Sequence, residues 1–217
     1  MATDCIIFGF DGQSIKLLLF KRRVEPFKGK WSLIGSFVRP QENVKDAALR
    51  VLEESTGLQN VFMEELGVFG TTERDPGARV ISLGHYALIR IDEQNSKVLA
   101  ENQARWFDFE ALPELILDHR KMVDVALDKL RKKARYRPIG FELLPEKFSI
   151  PKLRRFYESI YGRELDRRNF RKKILSMDIL EKLEEKDKTE SRKGAYFYRF
   201  IKEKYDDMVE KGVNFEI

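Results

Sequence analysis

The sequence predicts an α+β chain in two parts, and three observations carry that reading. The first half alternates short β-rich runs with one amphipathic helix. A stretch around residue 140 then loses all periodicity. The remainder reads helix, turn, helix and two strand-like pieces. At 217 residues, with 42% hydrophobic content and 16 Phe, the chain is long enough to bury two cores.

Cys5–Phe10 and Ile15–Arg22 are apolar runs joined by Asp11-Gly12-Gln13, a turn signal that predicts a hairpin. Trp31–Val38 is a further strand interrupted by Gly35, with Trp31 in the core. Glu42 or Asn43 caps a helix that runs to about Thr56 and stops at Gly57. Val44, Ala47, Ala48, Val51 and Leu52 recur at helical spacing and form its buried stripe. Val61–Thr72 and Arg79–Ile91 are strands, separated by the charged loop Glu73-Arg74-Asp75-Pro76-Gly77. Trp106–Phe109 is a short strand, and Arg120–Arg135 is a helix with Met122, Val123, Ala126, Leu127 and Leu130 on its apolar face. These elements make a first domain over 1–136, followed by a linker over 137–148 containing Pro138, Gly140 and Pro145.

The second domain spans 149–217. Ser149 caps a helix from Ile150 to Tyr161 with Pro151 in its first turn and Gly162 at its end. Ile150, Leu153, Phe156, Tyr157 and Ile160 form its core stripe. Asp166 caps a second helix to about Met177, with Phe170, Ile174 and Met177 inward. Ile179–Leu183 and Ala195–Phe200 then make a ribbon joined by the charged segment 184–194. This is the order of a winged helix-turn-helix.

Composition excludes several classes of protein. No apolar run reaches 18 residues, so no membrane span is expected, and the N-terminus carries no basic region of a signal peptide. Cys5 stands alone, which rules out an internal disulfide and a cysteine-based zinc cluster; a small buried thiol in a reduced, cytoplasmic setting fits. The net charge of +5 is unevenly placed. Residues 1–134 hold 20 Lys/Arg against 20 Asp/Glu, whereas 147–173 hold ten basic residues against three acidic ones. Such asymmetry fits a polyanionic partner for the second half, although a solvated basic face would give the same count.

The second helix of this half sharpens the choice. Arg167, Arg168, Arg171 and Lys172 fall at i, i+1, i+4 and i+5, on the side away from Phe170 and Ile174, with Lys173 beside them and Asn169 in the first turn. Arg suits guanine edges and phosphates, and Asn suits adenine. Arg154 and Arg155 on the preceding helix suit the DNA backbone. Lys186, Lys188, Arg192 and Lys193 at the ribbon tip suit phosphate or the minor groove. The expected partner is double-stranded DNA.

The first half carries a different signal. Glu42, Arg50, Leu52, Glu54, Gly57 and Leu58 fall on the positions of G-x5-E-x7-R-E-U-x-E-E-x-G-U, where U is aliphatic. This resembles the Nudix box of Mg²⁺-dependent hydrolases, and the resemblance implies a Nudix α/β/α sandwich with a mixed sheet. The opening Gly is Ser36, and two of the three helical Glu are Val51 and Ser55. Those three positions share one helix face, where carboxylates supply a hard cation with both ligands and charge. With Glu54 alone remaining, little or no hydrolysis is expected, and no catalytic residue, resident metal or cofactor is assigned. Glu53 is displaced by about 100° around the helix and replaces neither loss.

A Nudix-like cleft without its metal can still bind. Its candidate ligand residues are Arg22, Ser36, Arg39, Glu54, Glu73 and Arg79, whose types suit hydroxyl-rich or anionic ligands. His85 joins them as a polar group but has no visible His partner, so a structural role is expected.

The two halves together resemble the Nudix-related transcriptional regulators. The stretches Arg74-Asp75-Pro76-Gly77, Pro138-Ile139-Gly140-Phe141 and Arg167–Lys172 are similar to landmarks of that family. The resemblance implies a homodimer that pairs through its Nudix domains and binds a palindromic operator. Its implied effector is ADP-ribose or a related compound in some branches and a sugar in another. The sequence looks closer to the sugar branch, so L-arabinose is the expected effector. The alternative is a true Nudix hydrolase acting on ADP-ribose or a nucleoside diphosphate sugar.

Overall fold

A computed structural model describes residues 1–59, 61–91, 99, 101–188, 193–212 and 215. The chain divides into two compact units, one of Met1–Asp11 with Ile15–Lys129, the other of Gly12–Ser14 with Leu130–Ile217. Among the described residues no helix is long and apolar enough to cross a membrane.

Among the described residues the first unit is built on a seven-stranded mixed sheet. Strand β1 (Ala2–Phe10) is buried along nearly its whole length, in keeping with its apolar run from Cys5 to Phe10, and pairs in parallel with β6 (Ser82–Arg90). The expected hairpin is present. Phe8–Phe10 of β1 pair antiparallel with Ile15–Leu17 of β2 (Ile15–Lys21). The expected single strand Trp31–Val38 is two strands. Pairing explains the break: β3 (Trp31–Ser32) bonds to β2, and β4 (Ile34–Phe37) bonds to β1. Leu33 is the crossing point, and its N–H leaves the sheet to donate to His119 Nδ1 at 3.0 Å. The sheet is completed by β5 (Met63–Phe69) on β6 and β7 (Ala104–Asp108) on β2.

Helix α1 (Val44–Thr56) lies against β1 and β4 and buries Ala47, Ala48, Val51 and Leu52. Gly57 ends it in the left-handed conformation with φ 71°, donating its N–H to Glu53 O, a geometry that favours glycine. Helix α2 (His119–Tyr136) buries Met122, Val123, Ala126, Leu130 and Ala134.

In the second unit, α3 (Ile150–Tyr161) has the expected bounds and buried stripe. Helix α4 (Arg167–Ser176) begins at Asp166, whose carboxylate accepts from Asn169 N at 2.8 Å. The ribbon is β9 (Leu180–Asp187) and β10 (Ala195–Phe200), joined by β8 (Phe148–Ser149) into a three-stranded sheet. Helix α5 (Lys202–Glu210) follows, an element that periodicity did not reveal.

The expected linker over 137–148 is core instead. Ile139, Phe141, Leu143, Leu144 and Phe148 are buried, and Tyr157 Oη accepts from Ile139 N at 2.7 Å. Phe141 stacks on Phe200 with ring centroids 4.1 Å apart. Gly140, at φ 86°, lies so close under Phe156 that a Cβ would meet the ring at 2.2 Å. The irregular backbone hid this segment from periodicity, while its apolar side chains tie it to the second unit.

Candidate functional site

Two regions gather functional side chains, one in each unit. In the first, β1, the β2–β3 loop, β4, the residues before α2 and the 71–80 loop enclose a cleft of about 450 Å³. Its cationic lining is Lys21, Arg22, Arg23 and Arg74, facing the carboxylates of Asp4 and Asp75.

The cleft floor is a buried ionic network. Arg74 Nε and Nη2 donate to the two oxygens of Asp118 at 3.0 and 2.9 Å, and Nη2 also reaches Asp4 Oδ2 at 3.2 Å. Ser82 Oγ donates to the same Asp4 oxygen at 2.6 Å. The Arg74 side chain is 3% exposed, so its charge is viable only because both carboxylates meet it. Gly35 makes room for this network, since a Cβ there would stand 2.2 Å from Asp4 Oδ1 and 2.8 Å from Thr3 O. His119 Nδ1 accepts from Leu33 N, so the ring's proton belongs on Nε2, which lies 3.8 Å from Asp4 Oδ1. Burial lowers the His119 pKa from its ordinary value despite Asp4 and Asp118 pulling the other way.

Of the six candidate ligand residues, Arg22 and Ser36 line this cleft; Arg39, Glu54, Glu73 and Arg79 do not. Arg22 Nε turns back to the carbonyls of Val24 and Pro26 and closes its own loop. Glu73 is exposed, and Arg79 Nη1 donates to the carbonyls of Thr71 and Val80. Arg39 and Glu54 form an exposed pair at 3.5 Å. His85 is buried and shares a 3.0 Å bond between Nδ1 and Thr3 Oγ1, the structural role expected of it. Cys5 is buried too, and its thiol pKa is raised by desolvation.

Sequence reasoning missed Asp4, Asp118 and His119, and read Arg74 as part of a charged loop and of a family landmark. They come from three distant stretches of chain. The one local signal was polar residues placed inside or beside apolar runs, as at Asp4.

The remains of the Nudix box are structural. Arg50 Nη2 and Nε donate to the two oxygens of Glu42 at 2.6 and 3.0 Å, and Nη2 reaches Phe37 O at 3.3 Å. Glu42 also accepts from Arg39 N at 2.7 Å. The Arg50 hydrogen bonds, with help from Arg39 N, pull the Glu42 carboxyl down to about 2. This knot ties the 37–42 loop to α1. Position 51, where the motif wants a carboxylate, is a Val with 3% exposure packed into the core beside Cys5 and Ile34. Ser55 lines the cleft and Glu54 is paired with Arg50 and Arg39. One paired carboxylate and one hydroxyl do not fit the oxygen-rich shell that a catalytic Mg²⁺ needs.

In the second unit, the basic side chains of α4 divide. Arg167, Arg168, Asn169, Arg171 and Lys172 are exposed, and Lys173 is half-buried. Arg167 and Arg171 do not stand opposite Phe170 and Ile174 as expected. They flank that buried side and line a recess shared with Arg154, Arg155, Ser149–Pro151, Asp187 and Ala195. Arg154 Nη1 donates to Glu158 Oε1 at 2.5 Å and to Leu165 O at 3.2 Å, pinning the turn between the helices. On the wing, the Lys182 and Lys186 ammonium groups sit 3.8 and 4.5 Å from the Tyr196 ring centre. Lys193 is exposed, and Arg192 lies outside the described residues.

Comparison with known proteins gives this geometry its context. Residues 1–126 match the NUDIX domain, and residues 140–200 match the NrtR DNA-binding winged helix domain. The chain is 29% identical to the ADPR responsive transcriptional repressor NtrR of Acinetobacter baylyi, over 95% of this chain and 84% of that protein. It is 37% identical to the ADP-ribose pyrophosphatase of Methanocaldococcus jannaschii, over 50% of this chain and 63% of that protein. The crystal structure of Shewanella oneidensis NrtR complexed with a 27mer DNA superposes with a TM-score of 0.80 at 25% identity, covering 95% of both chains. The chain therefore belongs to the Nudix family, carries an NrtR DNA-binding winged helix domain after its Nudix domain, and is homologous to the NrtR transcriptional repressors.

Proposed function

We propose that this protein is an ADP-ribose-responsive transcriptional repressor whose Nudix cleft holds the ligand without hydrolysing it. The observation that carries the reading is the pairing of a cation-lined cleft with a Nudix helix whose metal positions are a buried Val51, a Ser55 and a salt-bridged Glu54. Diphosphate chemistry in this fold depends on metal charge stabilisation. Diphosphate binding needs only positive charge and hydrogen-bond donors, which Lys21, Arg22 and Arg23 supply at the rim.

L-arabinose, the effector expected from the sequence, gives way to ADP-ribose. The repressor relative that matches almost the whole chain is named for ADPR, and the relative that matches half of it acts on ADP-ribose. The physical argument runs the same way. A neutral pentose offers hydroxyl groups alone, whereas Lys21, Arg22 and Arg23 line the cleft in addition to the internally paired Arg74.

The protein acts as a homodimer on a palindromic operator, each winged helix taking one half-site. Ligand changes DNA affinity only as far as it binds the two states of the protein differently. Calorimetry with ADP-ribose and with L-arabinose tests the effector, and heat from ADP-ribose alone is expected. Incubation with ADP-ribose and Mg²⁺ tests the hydrolase alternative. Release of AMP and ribose 5-phosphate, the two products of adding one water across the diphosphate, would establish that alternative.

A further inference from the structure

Helix α4 carries two basic ridges, and they face different ways. Phe170 and Ile174 mark its buried side. At about 100° per residue, Arg168, Asn169 and Lys172 fall opposite that side, while Arg167 and Arg171 fall next to it. The side chains follow this geometry. Arg167 and Arg171 line a recess of about 460 Å³ together with Arg155, the first turn of α3 and, from the wing, Asp187 and Ala195. Arg171 Nη2 leans toward the wing and donates to Tyr198 Oη at 3.3 Å. Arg154, the fourth arginine of the recess, is held by Glu158 and the Leu165 carbonyl.

A concave site lined by several arginines suits a tetrahedral oxyanion. The N-terminus of the twelve-residue α3 adds the positive end of its dipole to the same space. A base edge lies at the floor of a groove and is reached from a convex ridge. All five side chains are exposed, but Arg167 and Arg171 line a recess whereas Arg168, Asn169 and Lys172 lie outside it.

We propose a division of labour within this one helix: Arg167 and Arg171 seat a phosphate of the DNA backbone in the recess, and Arg168, Asn169 and Lys172 read base edges. The inference rests on the DNA-binding reading above and adds which arginines set affinity and which set sequence choice. The two roles separate cleanly in salt and sequence dependence, because phosphate contacts release counterions and carry no sequence information.

The test uses the full chain and a duplex selected by it from a random-sequence pool, with a scrambled duplex of equal length and composition as the second probe. Fluorescence anisotropy is recorded between about 50 and 200 mM salt. Arg171→Ala and Arg167→Ala are expected to weaken both duplexes by the same factor. The slope of log K against log[salt] should become shallower by about 0.9 for each bound protomer, so the deficit shrinks about 3.5-fold per protomer across that range. Arg171→Lys keeps the point charge and should retain most of the affinity. Arg168→Ala should weaken the selected duplex and leave the scrambled one nearly unchanged. Melting curves of each variant check that the fold is intact. The division is overturned if Arg171→Ala loses affinity for the selected duplex alone, or if the Arg167→Ala/Arg171→Ala double variant loses none. Failure of the unaltered protein to select any duplex would instead overturn the DNA-binding reading itself.

Discussion

Arg74 and Arg168 carry the same side chain, and where their hydrogen bonds go separates the two units. Arg74 sits under the cleft, with both ends of its guanidinium committed to Asp118 and Asp4. Arg168 stands exposed on the outward ridge of α4. The first charge holds a binding site in shape; the second is presented to something outside. The same contrast runs through the box remnants, where Arg50 and Glu42 are internally satisfied. In the first unit the paired charges of Arg74, Arg50 and Glu42 stabilise shape. The second keeps its exposed charge on the face that a helix-turn-helix inserts into DNA.

The sharpest way to break this comparison is at Arg74. Arg74→Ala leaves the buried Asp4 and the half-buried Asp118 without their cation and should cost about 3–5 kcal/mol of stability, read as a lower urea midpoint. Retention of wild-type stability would mean that the network does not hold the cleft. Arg168→Ala should leave the urea midpoint within about 0.5 kcal/mol of wild type. It should weaken binding to a selected duplex by about 1–3 kcal/mol, measured by anisotropy.

A smaller and pH-dependent effect is expected at Glu42. Its folded carboxyl is held at about 2 against an ordinary 4.5, so the stabilisation from Arg50 is complete above about 4.5 and disappears as pH falls toward 2. The gap in urea midpoint between wild type and Glu42→Gln should therefore be constant from neutral pH to about 5 and narrow below it. A gap that widened on acidification would contradict the assignment. The smallest effect belongs to Glu54→Gln. That carboxylate is 55% exposed and its pairs with Arg39 and Arg50 are long, so stability should change by about 0–1 kcal/mol. ADP-ribose affinity should hold, as Glu54 is not part of the cleft lining.

Local signals made much of the fold legible. The Asp11-Gly12-Gln13 turn, the left-handed stop at Gly57 and the Ser149 and Asp166 caps each mark a boundary that the structure keeps within a residue or two. What stayed hidden depends on partners distant in sequence. Trp31–Val38 divides because its two halves pair with different strands. The 137–148 stretch has no repeat because its backbone is irregular, yet its Ile139, Phe141, Leu143, Leu144 and Phe148 are buried in the second core. Helix α5 is mostly polar, and Met208 alone is buried from it, too little for a periodic stripe. At the cleft, Ser36 is the motif's own first position, whereas Asp4, Asp118 and His119 meet only after folding. Arg167 and Arg171 were misplaced on α4 because a count of basic positions treats a flank and a front alike.

The central claim is that the cleft senses ADP-ribose and does not consume it, while the winged helix responds. The most direct measurement titrates the full chain onto its selected duplex with and without ADP-ribose in the presence of Mg²⁺, and then quantifies the recovered nucleotide by chromatography. The account predicts DNA affinity lowered by about 5- to 150-fold, the usual range of coupling between two sites, with ADP-ribose recovered intact. Unchanged DNA affinity at saturating ADP-ribose, or conversion of the ligand to AMP and ribose 5-phosphate, would contradict it.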